Sequence, residues 1–453
     1  MQPEGAPSFW KRVTRGILWA TPGQLDAGLA SLATFVTGLS AVRSFDLETL
    51  GAYSLLFSAF LVGSQLPAEL IFNPSQVLAI DLNPENRLSM LRHSWHRGVL
   101  ISALGAIVVP MGVLPIMGVM SFSELGPLVL AAAGLALVSP LQDHIRSMLH
   151  LSNFSWMAAA TSASHFLVTC FALLLLNRTL PSSAPFGALV VGNLVSITIA
   201  GFWIARRTPR RVPRPRFRQL VELGGWLLTT GIARTLLGYA SRALLTAVVG
   251  ITALAHVEGA RIVAQPLYVL ASGLTAQMGP RSIAAASRHD LAAARRWRMR
   301  FASMLSLVAI PYTLVVAFPS PLNPFRALAP RAYEVSGLTA FMLFAVWLNS
   351  LLRPMKSEFL GARWQKHLAY VTIATGLVEV AAILTGYEIG AYAAPTALAL
   401  ASVLTWISLH SVLNRFYGTV EFPTDPKLEA NPTDRVLDGG GRTRNKRVRR
   451  SSR

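Results

Sequence analysis

"GIARTLLGYASRALLTAVVG", residues 231–250, has the apolar content of a membrane-buried helix, yet it carries Arg234 and Arg242. A charge in hydrocarbon costs several kcal/mol, about 2.5–3.5 even on insertion scales, so it persists where it faces a cavity or a partner. The stretch therefore implies two things: a chain that lives in a membrane, and a polar site inside it.

Composition agrees. The 453 residues are 53% hydrophobic and 14% charged, with a mean hydropathy of +0.47, far from the make-up of a soluble domain. About 20 apolar residues cross a bilayer as helix. Such windows recur at 15–46, 51–79, 97–119, 125–142, 154–176, 186–205, 220–248, 256–280, 301–319, 335–352, 368–386 and 390–413, giving an expectation of twelve spans. The first apolar segment runs into a full span without a small-residue cleavage site, so it is expected to stay in the mature protein. The single cysteine, Cys170, lies inside a span, which excludes disulfides and cysteine metal sites.

The net charge of +20 would suit nucleic acid, but its distribution points elsewhere. With the N-terminus in the cytoplasm, the outer loops hold only Arg43, Arg178, Arg326 and Arg331, and most remaining Lys and Arg fall on inner segments. That asymmetry is the positive-inside rule. It predicts a multi-pass protein of the cytoplasmic membrane with both termini cytoplasmic, a basic inner face that meets anionic headgroups, and no nucleic-acid partner.

Two basic stretches divide the chain. "RRTPRRVPRPRFR" (206–218) alternates Pro and Arg and is expected to be an extended cytoplasmic linker. It separates a six-helix lobe at 1–205 from a second at 219–417. The remainder, 418–453, ends in "GGGRTRNKRVRRSSR" and has too little apolar content to fold. Six spans per lobe start and end on one side, so the lobes can be parallel repeats. "NPSQVLA" (73–79) and "GPRSIAA" (279–285) close corresponding spans, and "RHSWHRG" (92–98) and "RRWRMR" (295–300) precede the next ones. Pro22, Pro67, Pro266 and Pro311 fall inside spans, where each removes a helix hydrogen bond.

"SFDLETLGAYSLLFSAFLVGSQL" (44–66) resembles the first hairpin of the polysaccharide exporters of the multidrug/oligosaccharidyl-lipid/polysaccharide superfamily. "ASRALLTAVVGITALAHVEGARIVAQPLYVL" (240–270) resembles their seventh and eighth spans, with His256 and Glu258 where a small residue and an aromatic are more usual. Many such exporters have fourteen spans. The resemblance implies an all-α polytopic protein with two six-helix parallel repeats around a central cavity lined by spans 1, 2, 7 and 8. It also implies transport of lipid-linked sugars, or drug export in exchange for an ion, with polysaccharide-assembly proteins as partners.

The ionisable residues inside spans are candidates independently of any relative. Asp26 and Glu69 lie about ten residues from the inner ends of spans 1 and 2, at similar depth. Either they couple a proton or a sodium ion, or each bonds a neighbour and fixes packing. Arg234 and Arg242 point about 80° apart with a rise of ~12 Å, and Arg261 sits near the outer end of span 8. A guanidinium grips a phosphate bidentately, so the three are candidates for the diphosphate of a polyprenyl-linked saccharide. The alternative is that Arg242 and Arg261 snorkel to outer headgroups, or that Arg261 pairs with Glu258. Glu379 and His165 are mid-membrane and weaker candidates, as is Glu258.

The leading expectation is an alternating-access flippase, not an enzyme, with no cofactor beyond a coupling ion. A drug/cation antiporter on the same fold is the alternative. A membrane glycosyltransferase is supported only by Asp46 and Glu48 in a short outer loop, where turns favour acidic residues anyway.

Overall fold

Asp46 opens the second helix: its Oδ1 accepts the Thr49 N–H at 2.8 Å, the bond of an N-cap. The acidic pair that supported an enzyme thus has a structural use at Asp46. The computed structural model describes residues 9–79, 82–208, 216–318, 337–362 and 364–418, with side chains from residue 22 onward at the N-terminal end. Among these residues every regular element is helical. Of the expected linker at 206–218, residues 206–207 and 217–218 are helical rather than extended, because the flanking spans run on into it, and 209–215 lie outside the described residues, as do 319–336 and 419–453.

The first half comprises α1 (Phe9–Ser44), α2 (Leu47–Pro67), a π-helical turn (Ala68–Phe72), α3 (Asn73–Ala79), α4 (Pro84–His93), α5 (Trp95–Val108), α6 (Phe122–Leu151), α7 (Ser155–Thr179) and α8 (Ala184–Arg207). The second comprises α9 (Phe217–Val248), α10 (Ile251–Ser287), α11 (Leu291–Ala317), α12 (Leu338–Leu351), α13 (Arg353–Gly361), α14 (Gln365–Thr385) and α15 (Ala393–Gly418). Contacts between the halves concentrate on α2, which packs against both α9 and α10, and on α1 against α10.

Ten of the described segments are long and apolar enough to cross a membrane. The expected spans missing from that set are α9 and α10, although they are 32 and 37 residues long. Arg234 and Arg242 dilute the first, and His256, Glu258 and Arg261 the second. Many large apolar side chains outside the core are exposed, among them Leu130, Leu174 and Leu307 at 74, 69 and 77%. Such a surface suits lipid and would be a liability in water.

Gly51 and Tyr53, which carry the family resemblance in the first hairpin, have packing roles. A Cβ on Gly51 would lie 2.7 Å from the Ile251 carbonyl oxygen, so only glycine lets α2 approach α10 there. Tyr53 is 1% exposed and stacks on Phe186 at 4.7 Å between ring centres.

Candidate functional site

Proline shapes the C-terminal part of the second span. Pro67 has no N–H to donate, and directly after it the ladder widens to a π turn in which the Asn73 N–H donates to the Ala68 oxygen. Such turns interrupt helices frequently at functional sites. This one carries Glu69, whose Oε2 accepts from Asn73 Nδ2 at 3.0 Å. Helix α9 lies directly on it: a Cβ on Gly224 would meet the Glu69 oxygen at 2.5 Å and Leu70 Cα at 2.8 Å.

One turn beyond Gly231 on α9, Arg234 enters a cavity of about 820 Å³. Glu69, Tyr268 of α10, Asn349 of α12, and Arg353 and Lys356 of α13 share its lining. Three cations therefore line a wall shared with one carboxylate. Arg353 also donates from Nη1 to Ser272 Oγ at 2.8 Å.

Arg353 and Lys356 are the residues that span counting misses, because "RPMKSE" falls where an inner loop is expected. Instead α12 breaks at Leu352, and Pro354 lies in the first turn of a new helix, a position that tolerates its missing N–H. At 100° per residue the i, i+3 pair Arg353 and Lys356 shares a face, while Glu358 projects about 140° away from Arg353. Glu358 is fully buried and forms an ion pair with Arg298 of α11 at 3.1 Å, and Tyr417 of α15 donates to it at 3.2 Å. The back of α13 is thereby fastened to two helices while its front supplies cations to the cavity.

The expected arginine trio is not assembled. Arg261 donates from Nε and Nη2 to Glu258 at 2.9 and 2.6 Å, and from Nη1 to Gln265 at 3.1 Å. Its fork is spent, and its guanidinium lies 5.4 Å over the Phe57 ring. Glu258 also accepts from Ser54 of α2 at 2.9 Å, across the two halves. Arg242 donates to the Gly238 oxygen at 3.2 Å and has Glu258 and Glu379 as its carboxylate neighbours. The two arginines thus lie among two glutamates, and neither Arg242 nor Arg261 lines the cavity that holds Arg234.

The two carboxylates expected to act together are likewise apart. Asp26 is 4% exposed and accepts from Arg146 Nε and Nη2 at 2.8 and 2.7 Å, from Ser162 Oγ at 2.5 Å, and contacts His150 Nε2 at 2.9 Å. Equal depth put Asp26 and Glu69 together on paper, but depth alone does not fix which way a helix faces. Asp26 turns towards α6 and α7, and Glu69 towards α9. His165 lines a separate cavity of about 210 Å³ in the first half.

A solved inward-facing multidrug-resistance MATE family transporter of the MOP superfamily superposes with a TM-score of 0.67 at 14% identity, covering 87% of this chain and 95% of the other. The lipid II flippase MurJ in an inward closed conformation gives 0.66 at 10% identity over 88 and 89%. A MOP superfamily transporter from Pyrococcus furiosus, described by the reverse polarity of its binding pocket, gives 0.58 at 10% over 88 and 94%. No curated protein sequence matches. These structures define the class by fold: a multi-pass membrane protein built as MOP-superfamily transporters are. The model of the family described as "Polysaccharide biosynthesis protein" matches residues 85–322, more than half of the chain, and the chain belongs to that family.

Proposed function

We propose that the protein is an alternating-access flippase that carries a lipid-linked saccharide, of polyprenyl-diphosphate type, across the cytoplasmic membrane for cell-surface polysaccharide synthesis. The observation that carries this reading is the sign of the larger cavity, where Arg234, Arg353 and Lys356 line a wall whose one carboxylate among the described residues is Glu69. Charge-assisted bonds from such groups to phosphate oxygens are the strong ones, and a low-dielectric surround strengthens them. The headgroup crosses within the cavity while its lipid tail stays outside. A cationic drug would meet repulsion there, which disfavours the antiporter.

The two halves act as the moving lobes in this reading, with both termini cytoplasmic. Asp26 is held by Arg146, Ser162 and His150, so the carboxylate left for a coupling proton or sodium ion is Glu69, which faces the cavity. The test is translocation of a lipid-linked saccharide in vesicles, comparing wild type with Arg353→Ala, Lys356→Ala, Arg234→Ala and Arg234→Lys at matched membrane levels. Each lost charge-assisted contact is worth about 1.5–3 kcal/mol, so each alanine variant should slow transport at least about tenfold. Undiminished transport in all three alanine variants would sink the reading.

A further inference from the structure

The smaller cavity has chemistry that the anionic grip does not use. It measures about 210 Å³ and is lined by Phe57 and Phe60 of α2, Gln142 and Asp143 of α6, His165 of α7 and Asn193 of α8. Gln142 and His165 are 3 and 5% exposed. Gln142 Nε2 and both ring nitrogens of His165 are buried without a hydrogen-bond partner among the described residues. A buried polar group left unpaired costs about 1–3 kcal/mol, and native structures rarely carry several together. Three such atoms in residues lining one cavity point to a ligand that supplies their partners.

Charge narrows its class. Arg146 also lines the cavity, but its guanidinium is taken by Asp26 and Asp143, at 2.7 and 3.1 Å, so it offers no free fork to an anion. Asp26 is filled by its own donors and offers no open site to a cation. Asp143, bound through Oδ1 to Arg146, lies at the open edge; the enclosed remainder is neutral: amide groups, and an imidazole that in its neutral form gives one donor and one acceptor. Two phenyl rings supply an apolar wall. A compact ligand with hydroxyls that both donate and accept, and a C–H face to lie on a ring, matches this set. The volume is below the roughly 300–1,000 Å³ of drug-sized sites, which suits a single ring rather than a chain. The side chain of Asp143, 64% exposed, marks an open edge.

We propose that this cavity is a saccharide subsite, taking one neutral sugar ring of the transported headgroup; as a part of transport it rests on the flippase reading above. The test uses purified full-length protein in detergent, a panel of free neutral monosaccharides observed by saturation-transfer difference NMR, and inorganic pyrophosphate observed by ³¹P line broadening. At least one monosaccharide should bind wild type. His165→Ala and Gln142→Leu, each removing a hydrogen-bonding side chain, should weaken it about tenfold and leave pyrophosphate broadening unchanged. Ala30→Phe, which fills the cavity from α1 and deletes no polar group, should do the same and stands in where the first two fail to fold. No monosaccharide signal on wild type, or a signal untouched by these variants, overturns the subsite, the orphaned groups then being served by water alone. Sugar binding without pyrophosphate broadening would instead count against the anionic grip and leave the subsite standing.

Discussion

Arg146 illustrates how a buried charge is tolerated. It is 16% exposed in its side chain and faces Asp26 at 5%, with Ser162 and His150 completing the carboxylate's bonds. Removing one partner of such a pair leaves the other uncompensated, which costs about 3–5 kcal/mol. Arg146→Ala should therefore sharply lower the melting temperature in detergent. The double variant Asp26→Asn/Arg146→Met should recover most of the loss, since replacing both partners by groups of similar volume is often neutral. If the single variant melts like wild type, the pair is not what holds α1 to α6. Asp26 was legible as special in the sequence, because charge within an apolar span needs a reason, whereas Arg146 read only as a cation of an inner segment between two spans. Their pairing was not legible: Asp26 and Arg146 are 120 positions apart, and no local pattern links them.

At the scale of elements, α13 shows how a nine-residue helix can be made part of a binding wall. Its cavity-facing cations depend on the clasp behind it, where Glu358 meets Arg298 and Tyr417. Glu358→Ala should lower transport although Arg234, Arg353 and Lys356 all remain, and should destabilise the protein by about 3–5 kcal/mol because Arg298 is left unpaired. Tyr417→Phe removes one hydrogen bond and should cost about 0.5–1.5 kcal/mol. Thermal unfolding together with the vesicle assay checks both, and equal effects of the two variants would contradict the clasp. Hydropathy ended a span at 352 and assigned the residues of this helix to a basic inner loop. The expected span ended where the break at Leu352 falls; what composition hid is that helix resumes at Arg353, because a helix that turns a corner and continues has the same composition as one that ends.

For the whole molecule, the seam between the halves is the part that would have to move in the proposed alternating access. Helix α1 meets α10 where a Cβ on Gly38 would lie 3.4 Å from Ile262. The Ser54–Glu258 bond joins the halves elsewhere along the same seam, from α2 to α10. In a Cys170→Ser background, a short cross-link between Gly38→Cys and Ile262→Cys should stop translocation, and a reducible version should restore it on reduction. Transport that continues through a completed cross-link would show that the halves need not separate there.

The sequence by itself determined that this is an all-helical, multi-pass membrane protein, because hydrocarbon demands long apolar helices and a span records that demand residue by residue. It also marked Arg234, Glu69 and Asp26 as residues needing an explanation. Only the tertiary structure decided which charges share a cavity. It gave Arg261 to Glu258 and Asp26 to Arg146, and it brought Arg353 and Lys356 of α13 to the cavity of Arg234. The physical reason is that depth along a helix follows from counting residues, whereas the direction a side chain faces depends on which helix packs beside it.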